Sequence, residues 1–383
     1  MSQLTRKEVL HKMRAHYSRA GREYKMRLIT QVVELLGYHR KSAIRALQPK
    51  APRPTAAPAI RGRPKEYDPD KLFAPLKTIW LAALQPCGKR LVAALPEWVP
   101  AYEEHHRRLD ADAKEALLTA SAATLDRLLR PARAQHRRRA TTRPGTILRQ
   151  EIAIRTDWNE NEPGFLEIDT VALCGGTLDD RHAWMFDSVD IVTTWNEMRA
   201  LENRGQQGTI AQLGDVEKNL PFALCGLDFD NGGEFMNHHL RRFAGERTRP
   251  VFLTRARAYH KNDNAHIEQK NYTQVRAWFG YERYDNPAVV PRINALCKGA
   301  LGQLLNFFLP TMKLESKRRE GSQIVRVYGA ARTPLSRVLE SQAVILEKKN
   351  ELRALKARLN PFALRREVDR QMKEIERERR LET

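Results

Sequence analysis

The chain has 383 residues, with 67 Lys+Arg against 46 Asp+Glu and a formal net charge of +21. It is long enough for more than one hydrophobic core and basic enough to concentrate a polyanion such as DNA, RNA or an anionic membrane surface. The most apolar stretch, Leu301 to Leu309, is far shorter than the roughly 18 residues of a spanning helix and carries Gln303 and Asn306; no secretory leader pattern precedes it, so a cytoplasmic protein is expected.

Cys87, Cys174, Cys225 and Cys297 are scattered and form no CxxC pair. Reduced, buried thiols are expected rather than a zinc site or disulfide framework.

Residues 1–48 carry apolar positions at helical spacing, Val9, Met13, Met26, Ile29, Val32, Val33 and Leu36, with Gly37 as a stop before HRKSAIRAL. Two helices, a glycine turn and a third helix make the order of a helix-turn-helix. Arg40, Lys41, Ser42 and Arg45 on that third helix are candidate DNA contacts; a three-helix bundle with a solvated basic face has the same pattern. Residues 49–66 turn to Pro, Ala and Arg and read as an extended linker. Within it, Arg61-Gly62-Arg63 is an AT-hook-like core suited to a narrow minor groove, or simply basic linker.

Residues 67–133 are helical again, with Leu72, Leu76, Ile79 and Trp80 on one stripe and Ser121 placed to cap AATLDRLLR. The block is assigned as a second helical DNA-binding domain, a packing scaffold being the other use. Residues 134–163 form a second basic linker whose Arg137, Arg138 and Arg139 suit phosphate contact.

From Gly164 the pattern changes to strands, FLEIDTVAL, HAWMFDSVDIVTTW and NEMRAL. A helix, the strand PFALCGLDF, a further helix, the strand PVFLT and a long helix from about Ala265 to Phe279 follow. This order predicts an α/β domain over 164–285 with a mixed five-stranded sheet. A helix plus a small β segment is expected over 286–334, with Thr333-Pro334 starting the next helix. The tail, 335–383, is helical with one break at Asn360-Pro361. A coiled-coil arm, a DNA clamp and a partner-binding helix all fit it.

Three acids in the α/β segment stand where folding needs no charge. Asp169 lies in the apolar run FLEID, Asp230 closes GLDFD before an Asn-Gly-Gly turn, and Glu268 lies at the start of a helix. Converging carboxylates repel and tend to stay protonated unless a cation intervenes. Hard oxygen ligands select Mg²⁺ or Mn²⁺. Asp187, Asp190 and Asp228 lie near the same strands and compete for the role of second ligand; residues 228 and 230 share a face if the strand stays extended.

With LEIDTV at Asp169, DNGGEF at Asp230 and NDNAHIEQKN at Glu268, the chain resembles the DDE transposases and retroviral-type integrases over about 164–284. The acids are 61 and 38 residues apart. YHRKSAIRAL is similar to the helix-turn-helix of bacterial insertion-sequence transposases, and the His/His/Cys/Cys module of retroviral integrases is absent from the sequence. The resemblance implies an RNase H-like core and a nucleoid-associated bacterial enzyme. It also implies Mg²⁺-dependent DNA 3′-end cleavage and strand transfer by Asp169, Asp230 and Glu268 with two ions. Lys270, Asn271 and Arg276, which follow Glu268 on the same helix, would hold DNA. The expected partners are element ends and target DNA, in a dimer or larger homo-oligomer. No GxxxxGK followed by Ser or Thr occurs, so ATP-dependent target choice would need a separate ATPase. A non-cutting DNA-binding regulator and a nuclease without joining activity are the alternatives.

Overall fold

The computed structural model describes residues 3–48, 68–135, 161–177, 181–203, 205–229, 238–255, 275–320 and 323–381. Asp230, Glu268, Lys270, Asn271, Arg61, Arg63 and Arg137 to Arg139 lie outside the described residues. The chain divides into two compact units, Met1–Lys65 and Glu66–Thr383.

In the first unit, α1 (Gln3–Arg19), α2 (Arg22–Leu36) and α3 (Arg40–Leu47) enclose a small core of Leu10, Leu28, Ile29, Val32, Leu36, Ala43 and Leu47. Gly37 ends α2 at φ 66, a left-handed conformation that a residue without Cβ adopts at no steric cost, and its N–H donates to Val33. The Arg14 side chain donates to the Ala46 carbonyl and ties α1 to the end of α3. With Ala43 and Leu47 turned inward, Arg40, Lys41, Ser42 and Arg45 are exposed.

The second unit opens with α4 (Pro69–Ala82), α5 (Gly88–His105), α6 (Ala111–Thr119), α7 (Ala122–Leu128) and α8 (Arg130–Gln135). Ser121 caps α7 by accepting from the Thr124 N–H. The apolar stripe of these helices enters the same core as the sheet that follows. The Trp98 indole donates to the Phe308 carbonyl at 3.1 Å and its ring meets Phe362 edge-on, with centroids 5.1 Å apart. Of the two uses open to residues 67–133, packing scaffold is thus one they serve; their apolar side chains find their cover in the C-terminal half of the chain.

Five strands form one mixed sheet: β1 (Phe165–Ala172), β2 (Trp184–Asp190), β3 (Asn196–Leu201), β4 (Gly226–Phe229) and β5 (Phe252–Arg255), in the order β3-β2-β1-β4-β5. The first three pair antiparallel, whereas β4 and β5 run parallel to β1. The parallel strands need crossovers, and α9 (Gln206–Asn219) and α10 (His238–Gly245) lie in them. PFALCGLDF is strand only over its last four residues, and β1 is the central strand.

Edge strand β3 is covered by side chains. Asn306 accepts from the Asn196 N–H at 2.9 Å and donates to the Asn196 carbonyl at 2.8 Å. Asn294 makes the same two bonds to Ala200, at 2.7 and 3.1 Å. Both amides sit on the segment after the sheet, α11 (Val289–Leu296) continued by π-type turns at Cys297–Leu301 and Leu304–Phe308. Each therefore stands in for one residue of a missing sixth strand.

A two-stranded ribbon follows, β6 (Leu314–Glu320) with β7 (Gln323–Tyr328), then α12 (Pro334–Glu340), α13 (Leu346–Lys356) and α14 (Pro361–Arg379). Thr333 and Asn360 cap α12 and α14 through their side-chain oxygens. The tail returns to its own unit. Phe362, Leu364, Val368 and Ile375 of α14 are buried in the shared core, and the Arg365 guanidinium lies 4.9 Å from the Trp278 ring centroid. No described helix is long and apolar enough to cross a membrane.

The thiols differ from expectation: only Cys297 is buried, whereas Cys87 and Cys225 are exposed and Cys174 is intermediate. Cys87 lies at the start of α5 and Cys225 just before β4, positions at the ends of elements rather than on their buried stripes.

Candidate active site

Strand pairing sets four acids on one face of the sheet. Asp169 on β1 is the direct partner of Asp187 on β2, and Glu167, two residues back on β1, is the partner of Asp228 on β4. Alternation along a strand keeps residues 167 and 169 on the same side. Their exposure separates them. Glu167, Asp187 and Asp228 are 1, 0 and 1% exposed, whereas Asp169 is half-buried.

Two of the buried acids, Asp187 and Asp228, have neutral donors beside them. Asn196 Nδ2 donates to Asp187, and the Thr254 hydroxyl on β5, the register partner of Asp228, donates to that carboxylate. At Asp169, one carboxylate oxygen accepts from the Thr170 N–H at 2.7 Å. These side chains are positioned from three strands, which holds them more firmly than a loop would.

Asp190 belongs to the opposite face and does different work. Its two oxygens accept from Gly164 N–H at 2.7 Å and from the Thr193 N–H and hydroxyl at 2.6 Å each. Burial pushes its carboxyl above the ordinary range, against the pull of those donors. Asp190 is a clamp on the β2–β3 turn.

On the outer strand, the fully buried Arg199 guanidinium bridges Glu197 at 3.0 Å and Asp215 at 2.5 Å, and Lys298 reaches Asp215 at 2.8 Å. Burial raises the Glu197 carboxyl. For Asp215, the upward push of burial is outweighed by hydrogen bonds from Lys298 and Arg199, which lower it. Two cations match two carboxylates here, so the network is structural.

No protein-family model matches the chain. The uncharacterized protein y4rM of Sinorhizobium fredii is 36% identical over 351 residues, spanning 88% of this chain and 96% of that protein. The chain belongs to the y4rM family. The match to the y4rM protein takes in most of this chain's length and nearly all of that protein's.

Among solved structures, the catalytic core domain of BIV integrase matches with a TM-score of 0.29 and 12% identity, covering 45% of this chain and 91% of that one. The HTLV-2 integrase catalytic core domain in complex with magnesium gives 0.28 and 12%, covering 39 and 92%. Scores this low assign neither fold nor activity to the y4rM family.

Among the expected DNA contacts, Arg276 is occupied within the fold. It donates to the Ala172 carbonyl at 2.8 Å and the Gly280 carbonyl at 3.2 Å, and it lies over the Tyr281 ring at 4.9 Å. It ties the end of β1 to the turn after residue 279. Phe279 is core. Among the described residues no group of three His, Cys, Asp or Glu could hold a metal ion; two of the three acids singled out from the sequence lie outside them. Sequence reasoning missed Glu167 as a member of the acidic face, although its i,i+2 spacing from Asp169 was the signal.

Proposed function

We propose that the chain is a DDE-type polynucleotidyl transferase, a bacterial insertion-sequence transposase that cuts DNA 3′ ends and joins them to target DNA. One observation carries this reading. Asp169 is the half-buried acid on the central strand, on the same sheet face as three acids that are shut away from solvent. A buried carboxylate row is costly, and its one accessible member sits at the position of the first acid of the resemblance.

Asp230 comes two residues after Asp228 in the sequence, directly after β4 ends at Phe229. Glu268 follows 38 residues later. The donor set fits a hard cation, being carboxylate oxygen without thiolate or imidazole. Asp169, Asp230 and Glu268 would be the residues that hold two Mg²⁺ or Mn²⁺ ions. Bound there, such ions activate an attacking hydroxyl and stabilise a leaving oxygen. The chain's own part is to hold the scissile phosphodiester against Asp169. The oxygen of water, and then of the freed DNA 3′-OH, bonds to phosphorus as the 3′-oxygen of the cleaved strand leaves; each joining exchanges one phosphodiester for another.

The N-terminal unit would bring DNA to this site. Residues 1–48 contain 11 Lys+Arg and 3 Glu, and exposed Arg40, Lys41, Ser42 and Arg45 line α3, suited to a groove. Joining two element ends requires at least two copies.

The test uses purified full chain, DNA from the ends of its own encoding element, and Mg²⁺. The parent yields nicked and joined products. Glu268→Gln binds the same DNA and yields none. Undiminished cleavage by that variant overturns the assignment.

A further inference from the structure

The β6–β7 ribbon has a fixed root and a cationic far half. At the root, Thr311 and Arg332 exchange backbone bonds at 2.8 and 3.0 Å, and the Arg337 guanidinium reaches the Thr311 hydroxyl and carbonyl, the Arg332 carbonyl and the Thr194 hydroxyl. Lys313 Nζ donates to the Val192 carbonyl at 3.1 Å. Thr194 adopts φ 61, an unfavourable left-handed conformation for a β-branched residue. The strands are thus anchored to the β2–β3 turn of the main sheet and project from it.

Farther out, the register sets Lys317 directly opposite Arg326, with position 319 on the same face as 317. Like charges at directly opposed positions destabilise a strand pair. Such a row is stable against an anion, and cations along both strands oppose pairing with a second copy. Arg326, Val327 and Tyr328 are exposed. Seven residues span about 23 Å, and a two-stranded ribbon is one of the two elements that enter the major groove.

We propose that the β6–β7 ribbon is an arm that binds duplex DNA through its phosphates at positions 317, 319 and 326. This site is separate from the acids and from the N-terminal helices, and it stands whether or not the chain cleaves DNA.

The experiment titrates the full chain onto a labelled duplex of arbitrary sequence across a range of salt, without reading cleavage. Replacing Lys317, Arg319 and Arg326 together by Glu is expected to weaken binding at least about tenfold and to flatten the salt dependence by roughly 2 to 3, at about 0.9 for each phosphate no longer neutralised. Interchanging Lys and Arg at the three positions preserves both. Should the triple variant lose its circular dichroism signal, Arg326→Glu alone repeats the test with a slope change of about 0.9. Unchanged affinity and slope in a folded variant overturn the proposal, as does loss of binding to phosphatidylserine vesicles with duplex binding intact.

Discussion

Asp169 and Asp187 face each other across β1 and β2, one half-buried and the other fully enclosed. Directly opposed like charges weaken a strand pair, so retaining both has to be explained by what each does. Asp187 is held by the Asn196 amide, whereas Asp169 is the member open to solvent. On the proposed chemistry, Asp169→Asn lowers Mg²⁺-dependent cleavage by about three orders of magnitude or more. Asp187→Asn, whose amide oxygen still accepts from Asn196, retains cleavage within about tenfold. Equal loss in both folded variants would move the site off Asp169.

The amide of Asn306 completes the edge of β3 by exchanging two hydrogen bonds with the Asn196 backbone. Asn306→Leu leaves that N–H and carbonyl buried without partners. A loss of about 2–4 kcal/mol in urea unfolding is expected. A loss below about 0.5 kcal/mol would mean that water replaces the amide.

Hydrogen bonds from Arg379, and then from Arg380, pull the Glu376 carboxyl down to about 2 from its ordinary 4.5. A carboxyl depressed in the folded state stabilises the fold at pH above its unfolded value, and this contribution disappears as pH falls from about 4.5 to about 2. Glu376 is a third exposed, so solvent screening limits the gain to about 1 kcal/mol or less. The parent should therefore exceed Glu376→Gln in stability at neutral pH, and the two should converge in acid. A gap that widens on acidification contradicts the pairing.

Burial pushes the Cys297 thiol up to about 12, which removes the thiolate that reacts with alkylating agents. Iodoacetamide followed by peptide mass mapping should label exposed Cys87 and Cys225 in the native chain and Cys297 only after denaturant is added. Early labelling of Cys297 would show that the π-type turn around it opens readily.

Local signals were legible in the residues themselves. Gly37, Ser121, Thr333 and Asn360 end or cap helices in the structure through their own backbone or side-chain chemistry. The strand patterns read in FLEIDTVAL, HAWMFDSVDIVTTW and NEMRAL located β1, β2 and β3, because residue type along a short run reports local burial. PFALCGLDF read as a longer strand than it is, since an apolar run marks burial and does not say where pairing begins. The tail's leucines and arginines likewise left three uses open. The structure shows α14 covering the chain's own core.

By itself, the order of residues determined helices, caps, strands, the basic balance and which acids deserve notice, all matters of near neighbours along the chain. Tertiary structure alone decided that Asp169 reaches solvent while Glu167, Asp187 and Asp228 do not, that Asp190 serves a turn on the other face, and that two asparagines replace a strand at the edge of β3. Those outcomes depend on register between distant segments, where a slip of one residue exchanges the two faces of a strand.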